Sequence, residues 1–221
     1  MKKFLTVLFL CGLILITQNA IAATSFVLFS DDFNSENGGM TYGNYKDFQN
    51  WDVVSGAVDL LGPEWQGYYN NPMPAWVGSF VDLDGTTGAG AGKLVSKEEF
   101  RLLPGTIELQ FDIHGSLCPY SDRTDELNEL LIVSLGDIFT ETFTIPQDYS
   151  FTTITRYIDL QRRTDGRLIF DQTSGNDNMG PLLDNIKLTR NVGNNPVPEP
   201  MTMLLFGPAL LGLFGLKRRR G

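Results

Sequence analysis

The sequence predicts an all-β domain built as a two-sheet antiparallel sandwich. Residues Gly105–Gly115 alternate between apolar and polar side chains, which is the period of a strand with one buried face. Around ten short runs of this kind are separated by turn sequences such as Ser55-Gly56 and Pro104-Gly105, and no long window keeps a helical period. So many short strands in about 165 residues indicate a sandwich of the jelly-roll type.

The predicted strands follow the chain in order. They are Phe26–Phe29, Trp51–Val54, Ala57–Leu61, Val77–Leu83, Lys93–Leu102, Gly105–Gly115, Leu130–Leu135, Phe139–Ile145, Phe151–Leu160, Gly166–Asp171 and Leu183–Arg190. Asp165-Gly166 stands between two apolar runs and predicts a hairpin turn.

The N-terminus has the pattern of a secretory signal peptide. Lys2 and Lys3 precede the apolar run Phe4–Ile16, and Ala20-Ile21-Ala22 has the small residues of a signal-peptidase site. We predict a signal peptide over residues 1–22. A retained anchor is the alternative, but about 13 apolar residues are short for a membrane span.

The C-terminal segment 198–221 combines a polar motif, an apolar run and a basic cluster. Its elements are Pro198, Glu199 and Pro200, the run Met201–Leu216, and the basic residues Lys217, Arg218, Arg219 and Arg220. The run approaches the length of a spanning helix, and the basic cluster would stay in the cytoplasm. We predict a transmembrane segment at 201–216. An ordinary tail anchor is the alternative.

This composite segment resembles the PEP-CTERM sorting signal of Gram-negative bacteria. The resemblance implies that a membrane-embedded exosortase recognises Pro198-Glu199-Pro200 and cleaves the tail, after signal peptidase has cut the other end. The inner membrane would then hold the protein only transiently. The resemblance also implies export to the cell surface, often together with exopolysaccharide or biofilm production.

The remaining chain is predicted to be one domain over residues 23–190, followed by a polar linker at 191–197. Without the six basic residues of the two signals and without Glu199, it keeps 11 basic and 25 acidic residues, a charge of −14. This charge excludes nucleic acid as a partner, because phosphate binding needs a basic face. It fits a solvated secreted surface or cation binding.

Cysteine and histidine are too scarce for most catalytic sites. Cys118 is the single cysteine of the predicted mature domain and His114 is the single histidine. This excludes an intramolecular disulfide, a zinc site with several histidines and a serine triad for the predicted mature domain. A Cys118–His114 pair has little support, and we predict no catalytic residue.

Several short phrases sharpen the sandwich prediction. They are Asp31-Asp32-Phe33, Trp51-Asp52-Val53, Gly56–Leu60, Phe80–Gly85, Leu103-Pro104-Gly105 and Leu183–Ile186. Their order resembles a jelly roll of the galactose-binding, carbohydrate-module type. The resemblance implies the fold more firmly than the function.

Asp184 is the acidic residue of the last predicted strand. Leu182, Asp184, Ile186 and Leu188 share one parity, so the predicted core-facing side carries a carboxylate, which must be paired, capped or bound to a metal. The resemblance implies a structural calcium ion held by Asp32 and Asp184, with Asp31 as a further candidate. A cap on local backbone N–H groups is the alternative.

A second acidic loop begins at Asp82 and continues through Asp84 to Gly92. Its Asp-x-Asp-Gly start is half of an EF-hand pattern, but the twelfth position is Lys93 rather than glutamate. The EF-hand interpretation therefore fails, and the glycines indicate a flexible connection.

The aromatic segment 63–76 has the composition of a sugar-binding loop. The candidate residues are Trp65, Tyr68, Tyr69 and Trp76, with amides and a carboxylate among them. Binding sites pair an apolar platform with a few polar groups, and loops on a rigid sandwich often carry function. The alternative is that these rings cover the open end of the sandwich as a minor core.

Three functions remain open. The first is a non-catalytic exported surface or matrix protein associated with exopolysaccharide. The second is a carbohydrate-binding module that uses segment 63–76, and the third, a polysaccharide hydrolase or lyase, has the least support because no acidic pair is singled out.

Overall fold

The structure, a computed structural model, describes residues 24–65, 78–86, 88–115, 128–175 and 178–192. Within these ranges there are two short 3-10 turns, Glu36–Gly39 and Pro63–Trp65, and thirteen strands. The strands are β1 (Thr24–Asp31), β2 (Trp51–Ser55), β3 (Asp59–Leu61), β4 (Phe80–Asp82), β5 (Lys93–Ser96), β6 (Phe100–Leu102), β7 (Gly105–His114), β8 (Asn128–Leu135), β9 (Phe139–Pro146), β10 (Thr152–Leu160), β11 (Thr164–Gly166), β12 (Leu168–Gln172) and β13 (Leu182–Val192).

Two large sheets pack against each other. The six-stranded sheet has the order β10-β7-β13-β4-β3, and β1 also pairs with β13. The five-stranded sheet has the order β2-β5-β12-β8-β9, and β6 pairs with β11 in a small third sheet. The pairings are antiparallel wherever a register is defined, so the predicted jelly-roll sandwich is confirmed.

The main core lies between the two sheets and is rich in aromatic rings. Phe111 of β7 contacts Phe170 of β12 edge-to-face, with ring centroids 5.2 Å apart, and Phe143 of β9 at 5.7 Å. Trp51 of β2 meets Phe170 at 5.7 Å. Burying such rings is the largest favourable term in the stability of a small sandwich. The alternation predicted for β7 is confirmed, since its apolar parity faces this core.

β13 contains a β-bulge at its centre. Asp184 pairs with Asp112 of β7, but the register then shifts, so that Lys187 pairs with Gln110. Two residues of β13 therefore face a single residue of β7. Asn185, in the bulge, has a left-handed backbone with φ of 49°. Asparagine tolerates this conformation better than most residues do.

The bulge corrects the face predicted for Asp184. Leu183, Ile186 and Leu188 contact the main core, whereas Leu182 belongs to a second, smaller apolar cluster. Asp184 lies on the face opposite Leu183. The prediction of one core-facing parity for Leu182, Asp184, Ile186 and Leu188 is therefore wrong, because the extra residue inverts the alternation.

Two further strand predictions need correction. The predicted strand Lys93–Leu102 is divided into β5 and β6, which belong to different sheets. The predicted hairpin turn at Asp165-Gly166 is part of β11, which pairs with β6. A hairpin is impossible there because β10 and β12, on either side, belong to different sheets. The segment crosses from one sheet to the other.

The termini are described only where they join the sandwich. Ser25–Val192 forms one compact unit. Among the described residues, no helix is long and apolar enough to cross a membrane. The predicted signal peptide, the sorting motif Pro198–Pro200 and the predicted span 201–216 lie outside the described residues.

Candidate functional site

Asp31, a predicted calcium ligand at the end of β1, is buried and accepts hydrogen bonds from three groups. Its Oδ1 accepts from the backbone N–H of Phe33 at 2.9 Å. Its Oδ2 accepts from the indole N–H of Trp51 at 2.8 Å and from the side-chain amide of Asn50 at 3.1 Å. These bonds anchor the loop after β1 to the central tryptophan of the core.

Asp112 and Asp184 form a carboxylate pair on neighbouring strands. The side-chain amide nitrogen of Asn185 donates to both, at 2.9 Å to Asp112 Oδ2 and 3.2 Å to Asp184 Oδ2. The backbone N–H of Asn185 donates to Asp184 Oδ1 at 2.7 Å, and the Thr153 hydroxyl donates to Asp112 Oδ1 at 2.6 Å. The bulge thus brings one amide between two carboxylates.

Burial is the main cause that raises the pKa of Asp184 to about 8. The charges of Asp112, Asp32 and Asp31 act in the same direction, and the N–H of Asn185 opposes them. Strand pairing places Asp112 of β7 directly opposite Asp184. Sequence reasoning missed Asp112 because the strand that pairs with β13 was not predictable.

These carboxylates do not converge as a ligand set in this arrangement. Asp32 Oδ1 accepts from the N–H of Asn34 at 3.1 Å, and the oxygens of Asp31 and Asp184 also face N–H donors. Among the described residues, no group of three or more Asp, Glu, His or Cys side chains is placed to hold a metal ion. Calcium at Asp31, Asp32 and Asp184 stays a prediction.

Trp65 is the one candidate sugar-binding ring within the described residues; Tyr68, Tyr69 and Trp76 lie outside them. Trp65 is half-buried and packs, together with Phe151, against the small cluster of Leu61, Phe80 and Leu182. This packing favours the minor-core alternative for Trp65 itself. It leaves part of the ring exposed at the surface.

The surface beside Trp65 contains a second aromatic residue that sequence reasoning missed. The Thr41 hydroxyl bonds to the Glu64 carboxylate and accepts from the backbone N–H of Gly62 at 2.8 Å. Tyr42, next in the chain, pairs with Leu60 of β3 and is 57% exposed. Tyr42 therefore borders the start of the aromatic segment, to which Glu64 belongs.

The outer side of the six-stranded sheet forms a polar surface, of which Thr189 is the buried member. Strands β7, β10 and β13 each contribute three residues, and residues that pair directly across neighbouring strands lie on the same face. We call this nine-residue surface the polar sheet face: Thr106, Glu108 and Gln110 of β7, Thr155, Tyr157 and Asp159 of β10, and Lys187, Thr189 and Asn191 of β13. Strand spacing makes it about 10 by 13 Å.

Tyr157 is the exposed aromatic side chain of the polar sheet face, at 66% exposure. Hydrogen bonds order the side chains around it: Thr106 donates to Asp159 at 2.6 Å, and Asn191 donates to Glu108 at 3.1 Å. Such a surface presents hydroxyl, amide, carboxylate and ammonium groups around one ring. The signal in the sequence is an aromatic residue at a polar parity of the strand Phe151–Leu160.

The single histidine is not placed as a catalytic base. His114 is 1% exposed, and its Nδ1 contacts the carbonyl oxygen of Gly115. Burial lowers the pKa of His114. Cys118 lies outside the described residues.

No family model matches the chain, and no curated protein matches it. Among solved structures, the chain is similar to the enzymatically active domain of tailspike protein 4 of bacteriophage CBA120, at 13% identity and a TM-score of 0.44. The similarity covers 72% of this chain and 22% of the tailspike chain, so the chain spans less than a quarter of that protein.

Two smaller structures are matched over nearly their whole length. The K1 cleaved adhesin domain of Lys-gingipain from Porphyromonas gingivalis is 15% identical, with a TM-score of 0.41, over 76% of this chain and 99% of that one. The CBM22-1 xylan-binding domain of Paenibacillus barcinonensis Xyn10C is 12% identical, with a TM-score of 0.38, over 78% and 99%. Likeness at this level does not extend to ligand or activity.

Proposed function

We propose that this chain is an exported, non-catalytic surface or matrix protein that binds polysaccharide through its β-sandwich. The observation that carries the proposal is the polar sheet face, where Tyr157 stands exposed among ordered polar side chains. An aromatic ring stacks on the apolar CH face of a sugar, and the surrounding groups bond its hydroxyls. Regular strands hold all nine side chains, so little ordering is required on binding.

The aromatic segment 63–76 is the second candidate surface. Its support is the exposure of Tyr42 and Glu64 beside the half-buried Trp65. The two surfaces make different predictions, since each has an exposed tyrosine that can be substituted separately.

A glycan array probed with the purified full-length chain identifies the polysaccharide, and gel retardation in that polysaccharide compares variants. We expect Tyr157→Ala to weaken retention about tenfold, equivalent to about 1.4 kcal/mol. Tyr42→Ala, the matched control, should bind like the wild type. The reverse result would transfer the site to segment 63–76. Binding to no glycan, or shortening of the polysaccharide chains, would refute the proposal.

Export and sorting form a separate part of the proposal. The support is the order of the C-terminal elements, a Pro-Glu-Pro motif, an apolar run and a basic cluster, together with the N-terminal signal pattern. In an exosortase-containing Gram-negative host, Glu199→Ala with Pro200→Ala should leave an uncut, membrane-associated form. Immunoblots of membrane and surface fractions measure this. Equal processing of variant and wild type would contradict the sorting role.

A further inference from the structure

A pocket of about 320 Å³ lies at one end of the sandwich, where the chain crosses from one sheet to the other. Its walls are the end of β10, the loop that follows as far as the start of β11, and the turn between β8 and β9. This volume is at the lower end of the range for ligand pockets, about 300–1,000 Å³. The pocket can therefore hold a small ligand or one unit of a larger one.

The turn between β8 and β9 is fixed in place by two glycines. Gly136 has a φ of 52°, which favours glycine, and a methyl group added to it would lie 3.0 Å from the Cα atom of Gly166. The backbone N–H of Gly136 donates to the carbonyl oxygen of Arg167 at 3.0 Å. These contacts tie the turn to the crossing segment, so two walls of the pocket are held together by the fold.

The lining of the pocket combines apolar and polar side chains. Three side chains are apolar and belong to the main core or pack against it: Ile138, Ile158 and Leu160. Gln161 and Thr164 add an amide and a hydroxyl group. Ligand sites have this composition, an apolar platform with a few polar groups that bind and orient the ligand.

Two exposed charged side chains complete the lining, the carboxylate of Asp137 and the guanidinium of Arg162. Within the part of the chain that the structure describes, neither forms a hydrogen bond or an ion pair. The next residue, Arg163, differs in this respect, because it pairs with Asp165 at 3.2 Å. The Asp137 carboxylate is therefore available to accept hydrogen bonds from a ligand, and the Arg162 guanidinium is available to donate them.

Asp159 belongs both to this pocket and to the polar sheet face. The hydroxyl of Thr106 donates to Asp159 Oδ1 at 2.6 Å and so orients the carboxylate, while Oδ2 accepts no hydrogen bond from a described residue. Tyr157 lies two residues before Asp159 on the same face, which is about 7 Å along a strand. A chain-like ligand that covers Tyr157 therefore reaches the pocket by following β10.

We propose that this pocket is a subsite for one neutral sugar unit of the polysaccharide that lies on the polar sheet face, an inference that rests on the function proposed above. Asp137 and Asp159 accept hydrogen bonds from the hydroxyls of the sugar, and Arg162 donates to its oxygens. Ile158 contacts the apolar CH groups of the ring. The fold already holds the walls of the pocket, so binding requires little ordering of the protein.

The charges of the pocket favour a neutral sugar over a uronic acid. Two carboxylates and one guanidinium line the pocket, which gives it a charge of −1, in a domain whose charge is −14. A carboxylate on the ligand would meet like charges here, and such contacts exclude wrong partners. The pocket thus indicates the class of polysaccharide, which the polar sheet face alone does not.

Affinity electrophoresis of the full-length chain in mild detergent tests the proposal, with a glucan, a mannan, a galactan or polygalacturonate embedded in the gel. The mobility in each polymer is divided by the mobility without it, which corrects for the charge of each variant. Wild type should be retained by a neutral polymer and not by polygalacturonate. Arg162→Met should weaken retention by the neutral polymer about tenfold, because it removes a charged hydrogen-bond donor. Asp137→Ala removes an acceptor and should weaken retention by a similar factor.

Arg163→Met is the matched control, because it removes the neighbouring guanidinium, which already pairs with Asp165, and it should be retained like wild type. If Tyr157→Ala weakens retention while Arg162→Met and Asp137→Ala do not, the pocket is not a subsite, although the polar sheet face still binds the polymer. Equal losses in Arg162→Met and Arg163→Met would also overturn the inference. So would retention of wild type by polygalacturonate as strong as by any neutral polymer. If no polymer retains the wild type, the proposed function fails together with this inference.

Discussion

Two groups of buried polar side chains in the sandwich differ in how their hydrogen bonds are completed. One is the Asp112–Asp184 pair, and the other, which we call the Gln172 cluster, comprises Asp82, Asp84, Glu129 and Gln172. In the Asp112–Asp184 pair, an amide from the β13 bulge donates to both carboxylates, and a hydroxyl and a backbone N–H complete the set. In the Gln172 cluster, an amide also donates to a carboxylate, but its own oxygen is left without a donor. Donors in the protein complete the first site. In the second, protein donors reach Asp84 and Glu129, whereas the Gln172 oxygen accepts no hydrogen bond from a described residue.

The largest expected effect concerns the pH dependence of the Asp112–Asp184 pair. The pKa of Asp184 is about 8 in the fold against an ordinary 3.8, so the folded state keeps a proton that the unfolded state releases. Stability in chelator should therefore fall as pH rises from about 4 to about 8, by up to about 1.4 kcal/mol per pH unit. Urea unfolding at several pH values in this range should show that the free energy of unfolding depends clearly less on pH in Asp184→Asn than in wild type.

Asp52→Asn, at an exposed position of β2, is the control and should leave the profile unchanged. If the free energy of unfolding depends on pH equally in Asp184→Asn and wild type, burial of the Asp112–Asp184 pair does not destabilise the fold. The contrast with the Gln172 cluster would then lose its basis.

Asn185 provides the next test, because its side-chain amide is the donor that Asp112 and Asp184 share. Asn185→Gly keeps the left-handed backbone but removes the donor shared by Asp112 and Asp184, at an expected cost of about 2–3 kcal/mol. Asn185→Ala should cost about 1 kcal/mol more, since φ of 49° strains a residue with a Cβ. Chemical denaturation measures both. An Asn185→Gly protein as stable as wild type would show that the amide does not hold the pair.

The two sites also differ in how far the sequence could predict them. The alternation in Gly105–Gly115 predicted β7 and its buried face, because the strand is regular over its whole length. The sequence singled out Asp184 as a carboxylate among apolar residues. It could not predict which face of the sheet Asp184 occupies, because the bulge at Asn185 interrupts the alternation of the strand. The Gln172 cluster was not predictable. The sequence showed Asp82 and Asp84 as half of a local motif, whereas the remaining groups arrive from strands β8 and β12.

The same limit applies to the surfaces. Segment 63–76 was noticed because its aromatic residues are close in sequence. Tyr157 was overlooked because its polar neighbours lie on β7 and β13, far away along the chain. Local composition identifies a loop, whereas a sheet face depends on strand order.

Gly180→Ala is expected to have a smaller effect, and it tests how closely the Gln172 cluster is enclosed. A methyl group there would lie 2.4 Å from the backbone nitrogen of Asp84 as well as close to Gln172 Oε1. Gly180→Ala should cost about 1–3 kcal/mol through overpacking. Gly43→Ala, whose nearest neighbour is at an ordinary 3.4 Å, should stay within about 0.5 kcal/mol of wild type. Equal costs at both glycines would mean that the cluster is not tightly enclosed.

The smallest effect is expected where an acidic side chain already has a basic partner near solvent. Lys93 Nζ lies 2.8 Å from Asp171 Oδ2, and both side chains are partly exposed. Lys93→Met should cost about 0.2–1 kcal/mol, and the cost should shrink in high salt, because solvent and ions screen this pair. Denaturation at low and high salt measures the difference. If Lys93→Met lowers the free energy of unfolding as much as Asn185→Gly does, and equally at low and high salt, burial would not explain the difference between the two inner sites and the surface. The expected small value implies the opposite: it is the removal of water that makes the Asp112–Asp184 pair depend on the side-chain amide of Asn185.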